Sequence, residues 1–133
     1  MSGMPSSKPN GRTTNSTESS SKRQVPPNLE GLFYKARPLN GIWATAPYLH
    51  NGSVPDLWSL LLPPGERPDV FHVGSRTFDP VKVGFVSSEG QSVFKVKSSD
   101  GKIIEGNSNY GHPWGTTLSE ADRWALVEYM KSL

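Results

Sequence analysis

No cysteine occurs anywhere in this chain of 133 residues, and that absence removes every disulfide from the ways it can hold a fold together. Any core must come from packing alone, and the material is modest. Hydrophobic residues make up 34% of the chain, while glycine and proline number 13 and 12. That balance predicts one small, loop-rich domain. No apolar run approaches the ~20 residues that span a bilayer. The opening M-S-G-M-P-S-S-K-P-N has no apolar stretch of the signal-peptide kind, so no secretory signal is expected.

The sequence pI of 9.0 invites a nucleic-acid reading until the charge is located. Residues 1–28 carry Lys8, Arg12, Lys22 and Arg23 against Glu18 alone. From residue 29 onward, acidic residues outnumber basic ones by one. The basicity therefore belongs to the first 28 residues, which are rich in Ser, Thr, Asn and Pro and hold too little apolar surface to offset their ordering entropy. They are expected to form a disordered tail. The remainder, 29–133, has no basic face, and specific nucleic-acid binding is not expected.

Two helices have a mechanism behind them. Ser53 and Asp56 form an S-x-x-D start, Leu57 to Leu62 supply the apolar run, and Pro63-Pro64 end it. Ser119 and Asp122 repeat the start signal, with Glu120 and Asp122 placed to complement the helix dipole. Along this second helix Ala125, Leu126, Tyr129, Met130 and Leu133 form a stripe at helical spacing, widened by Trp124 and Val127. Between the two helices Pro64, Pro68 and Pro80 break the chain repeatedly. Val93–Val96 and Lys102–Glu105 flank the turn pair Asp100-Gly101, which predicts a short hairpin.

Enzyme signatures are absent: there is no thiol nucleophile, G-x-S-x-G elbow, P-loop or H-E-x-x-H pair. Three histidines remain as candidate metal ligands. His112 sits in N-S-N-Y-G-H-P-W-G, a Gly-rich loop before the second helix, which implies a flexible approach with a fixed exit. His50 lies in A-P-Y-L-H-N-G-S beside Tyr48, where it serves either a cofactor or the backbone groups of a turn. His72, between Phe71 and Val73, reads as part of a short extended segment, and Met130 as core.

Three blocks in order carry a resemblance: Y-K-A-R-P-L-N-G-I-W-A-T-A-P-Y-L-H-N-G-S-V-P from Tyr34, L-L-P-P-G-E-R-P-D-V-F-H-V-G-S-R-T-F-D-P-V-K-V-G-F from Leu61, and G-N-S-N-Y-G-H-P-W-G onward from Gly106 to Leu133. Together they resemble the C-terminal part of bacterial di-haem c-type cytochromes, a group that includes cytochrome c peroxidases and the cytochrome relatives of rubber oxygenases. The resemblance implies haem as cofactor, His112 as distal axial ligand to iron, and Tyr48, His50 and Asn51 close to the haem; Trp43 reads either as lining a haem pocket or as a core and loop anchor. It implies haem-linked electron transfer, an extracytoplasmic location, and a mainly α, truncated cytochrome c-like domain over 29–133 with long Pro/Gly-rich loops.

Two departures matter. Asn51 stands where peroxidase members commonly carry a carboxylate. More importantly, the C-x-x-C-H that would bond a c-type haem is missing. The expectation is therefore a C-terminal portion supplying one side of an iron site, its partner being a haem-bearing N-terminal half or a redox protein. The alternatives are a degenerate remnant, a non-covalent haem binder using His112 with His50, and a cofactor-free interaction module without redox activity.

Overall fold

The short helix α1, Leu57–Leu60, shows how this chain is held together. Its cap is Asp56, whose Oδ1 accepts from the Ser59 N–H at 2.7 Å. The N–H groups of Leu57 and Trp58, which no helical carbonyl can reach, donate instead to Val83 O at 3.1 Å and Lys82 O at 3.2 Å. A distant loop thus closes the helix start, and Pro63-Pro64 close its end. The predicted start at Ser53 lies three residues too early: Ser53 is buried, and Asp56 takes the cap.

The computed structural model describes Gly3 and residues 37–133; the tail expected over 1–28, and residues 29–36, lie outside the described residues. A 3-10 turn at Ile42–Ala44 precedes α1, and a second at Pro64–Glu66 follows it. Then come β1 (Val70–Val73), β2 (Phe78–Asp79), β3 (Gly84–Phe85), β4 (Ser92–Lys95) and the helix α2 (Glu120–Met130).

The expectation of a mainly α domain is overturned. The described residues are mostly coil and strand, with two antiparallel two-stranded sheets, β1–β4 and β2–β3. The physical reason lies in the middle of the chain. Prolines forbid helix there, while Val70, Phe71, Val73, Val93 and Phe94 suit a pleated surface. Phe71 pairs with Phe94 and His72 with Val93, and the two phenylalanine rings stack with centroids 5.1 Å apart. The hairpin expected around Asp100-Gly101 forms only as a turn and a single bridge, Lys97 to Ile103. Its first arm finds its main partner in β1.

The core joins Tyr48, Val54, Leu57, Leu60, Leu61 and Val83 to Val127 and Met130 of α2. Trp58 and Trp124 stack at 3.9 Å where the helices meet, and the Arg123 guanidinium lies 5.4 Å from the Trp58 ring centre. Helix α2 starts as expected, with Ser119 Oγ accepting from Asp122 N–H at 3.2 Å. The buried face differs from the predicted stripe: Val127 and Met130 are buried, whereas Ala125 and Tyr129 are exposed. Gly84 lets the two ends of the core approach. A Cβ there would sit 2.5 Å from Pro55 O and 2.8 Å from Asp56 Cβ, so no other residue fits without moving backbone.

Candidate functional site

The segment Gly106–His112 is the most heavily tied loop in the described chain. Asn51 Nδ2 donates to Gly106 O at 2.9 Å and to Ser108 O at 2.8 Å. Ser53 Oγ adds a bond to Ser108 O at 3.0 Å. Asn107 reaches across to Lys95 O at 2.7 Å, and Asn109, fully buried, donates to Pro68 O at 3.3 Å. The asparagines of N-S-N are thus fastenings, and the flexible approach expected for His112 is not what the loop provides.

Arg67 completes the hold. Its side chain is buried, and all five guanidinium N–H groups meet main-chain carbonyls. Nε donates to Leu62 O at 3.1 Å and one terminal nitrogen to Asn109 O at 2.5 Å and Gly111 O at 2.6 Å. The other donates to Leu60 O at 3.0 Å and His112 O at 2.8 Å. None of the ion pairs among the described residues includes Arg67.

His112 occupies the left-handed region, φ 55°, a conformation that costs free energy for a residue with a Cβ. Its ring is half-buried and lies edge-on to Trp114, centroids 4.7 Å apart. Burial, and then the neighbouring Arg67 charge, push the imidazole below its ordinary value. At neutral pH the ring is a neutral donor, the form that binds metal.

The other sequence-selected residues have different surroundings. Tyr48 belongs to the core: its hydroxyl donates to Ile42 O at 2.8 Å, and burial pushes the phenol up to about 12. Trp43 serves the end of α2, its indole N–H donating to Leu133 O at 3.2 Å. It also lines a hollow of about 210 Å³ with Phe78, Pro80, Val83 and Lys131. His50 is exposed in the turn that Gly52 N–H closes onto Leu49 O at 3.2 Å. His72 lies on β1, beside a smaller hollow of about 70 Å³ with Phe71, Phe85, Pro47 and Pro55. Asn51 and Ser53 are the residues of the first block whose side chains the structure joins directly to the His112 loop. Among the described residues no group of three or more His, Cys, Asp or Glu converges on a metal position.

Sequence reasoning missed Arg67, Asn109 and Ser53. Arg67 lies in P-G-E-R-P, and its loop partners are 42, 44 and 45 residues away. The only local signal is an arginine set between prolines beside an apolar run.

With this geometry in place, the comparisons are specific. Residues 33–72 match the family model described as RoxA-like, cytochrome c-like. The match takes in Trp43, Tyr48, His50, Asn51 and Arg67, and it stops before His112. Two proteins of Sinorhizobium fredii (strain NBRC 101917 / NGR234) are similar over longer stretches. "Uncharacterized protein y4iJ" is 45% identical over 111 residues, covering 77% of this chain and 18% of that protein. "Uncharacterized protein y4iM" is 50% identical over 86 residues, covering 65% of this chain and 19% of that protein. The chain spans about a fifth of the length of these curated relatives.

A cytochrome c-like family implies haem, and the donor set allows a test of fit. A neutral, half-buried imidazole is a donor that could hold a haem iron. There is no thiol to bond a porphyrin, and neither hollow described above includes His112 in its lining. Of what a haem site needs, the described residues present this one donor.

Proposed function

We propose that this chain supplies the distal wall of a haem site in an extracytoplasmic electron-transfer protein, with His112 as the axial ligand it offers to the iron. A haem so held supplies one-electron redox chemistry. The partner in this reading is the polypeptide that carries the haem on its other face.

One observation carries the reading. Among the three histidines, His112 alone sits in a loop fastened from several sides, half-buried, with a left-handed backbone conformation. The chain's own residues divide the work. Asn51, Ser53 and Arg67 hold the loop, burial and the Arg67 charge favour the neutral imidazole, and Trp114 lies against the ring, roughly perpendicular to it. The cytochrome c-like match over 33–72 supports the haem.

Peroxidase chemistry is left out of the proposal on physical grounds. The Asn51 amide is spent on two loop carbonyls and has no proton to exchange near neutral pH, so it cannot act as an acid or base. Haemin titration of the chain against His112→Gly tests the reading. Glycine is the right replacement because it adopts φ 55° without strain.

A further inference from the structure

A buried guanidinium that meets five carbonyls and no carboxylate calls for a reason. Taking a cation out of water without a counter-charge is expensive, and burial pulls the Arg67 group below its ordinary value. Its five acceptors fall into two sets. Leu60 O and Leu62 O come from the end of α1, where carbonyls lack helical partners. Asn109 O, Gly111 O and His112 O come from the loop. Carbonyl dipoles converging on one point repel each other unless a cation lies between them. Remove the cation and nothing keeps the His112 carbonyl turned inward, which is the arrangement that places His112 at φ 55°.

Lysine could not do this. An ammonium offers three donors from one point, while the planar fork offers five spread over a plane. The anchor end is rigid as well. Pro63 caps and Pro64 opens the 3-10 turn that leads into Arg67, and Pro68 follows Arg67. Arg67 therefore brackets a fixed helix end to the loop that bears the candidate ligand.

We propose that Arg67 is the positioning residue of this site: its guanidinium holds the His112 backbone in the left-handed conformation and so governs whether the imidazole is available to iron. The ligand role of His112 rests on the reading above, whereas the hold on its backbone is a property of the chain alone. Nothing in the sequence marks Arg67 for this role.

The test uses Arg67→Lys and Arg67→Gln in the whole chain. The three-bond HN–Hα coupling of His112 reports its φ directly. Circular dichroism from the stacked Trp58–Trp124 pair reports whether the core remains folded. In folded variants the coupling moves away from its wild-type value, and haemin affinity falls by about tenfold or more, the equivalent of one strong charge-assisted hydrogen bond. An unchanged coupling in a folded Arg67→Lys overturns the proposal. If both variants lose the tryptophan signal, the wild-type chain decides. Slowly exchanging, separately resolved Arg67 Nη protons with cross-peaks to Asn109 and His112 support the bracket, and averaged, fast-exchanging ones refute it. Wild-type chain that binds no haemin while the coupling responds to Arg67 would sink the haem reading and leave the positioning role standing.

Discussion

Arg67 and His112, 45 residues apart, are joined by a hydrogen bond of 2.8 Å from the guanidinium to the histidine's own carbonyl. The bond ties the end of α1 to the loop ahead of α2, and most of what this chain offers chemically follows from that tie. A half-buried imidazole is held at a fixed place, and the nearest fixed charge is positive.

That charge gives a pH dependence with a definite sign. The His112 imidazole is pushed down by burial and by Arg67, so the unfolded chain takes up the proton first as pH falls. The contribution to stability is full above about pH 6.5 and is lost as pH drops through the lowered folded value. Asp56 works in the opposite sense: burial raises its carboxyl, so its contribution is present at low pH and lost as pH rises. Urea unfolding at about pH 7.5 and about pH 5.5 should show a smaller acid-side loss in His112→Gly than in wild type. Equal losses in the two would contradict the assignment.

Asn51→Asp should loosen the His112 loop. A carboxylate cannot donate, so Gly106 O and Ser108 O lose their Asn51 bonds and two carbonyls face an added negative charge. The expected cost is about 1–3 kcal/mol. Amide exchange should quicken across 106–109 while α2 is spared, and uniform quickening would point to global unfolding.

Gly84→Ala tests the closure of α1. The added Cβ would meet Pro55 O and Asp56; Asp56 caps the helix, and Lys82 and Val83, whose carbonyls receive its first N–H groups, come just before Gly84. We expect ~1–3 kcal/mol of destabilisation by overpacking, seen as a lower thermal midpoint. Retention of the wild-type midpoint would show that this approach is slack.

Trp43→Phe separates two roles for that ring. The structure gives its indole N–H to Leu133 O, so the change should cost about 1 kcal/mol of stability and leave haemin binding as it was. A large loss of haemin affinity would return Trp43 to the haem pocket that was one of its two sequence readings.

Legibility in the sequence followed the range of the interactions. Ser119 and Asp122 were readable because cap and capped group are three residues apart. Asp56 and the Pro63-Pro64 stop were readable for the same reason, although the cap was placed at Ser53. The extended segments around His72 and at Val93–Val96 were readable too, but their pairing was not, because Phe71 meets Phe94, 23 residues further along the chain. That is why a mainly α domain was expected and a coil-and-strand one was found. At the site, His112 stood out by its motif and Asn51 by its block. Arg67, which connects the two halves, could not be seen, since its partners are carbonyls and every residue has one.

The most direct test is haemin titration of wild type and His112→Gly, read by the Soret and α/β bands, with free imidazole then added to the variant. The account predicts saturable, histidine-ligated binding in wild type, its loss in the variant, and its return with imidazole. No saturable binding by wild type, or the same titration in both proteins, would contradict it.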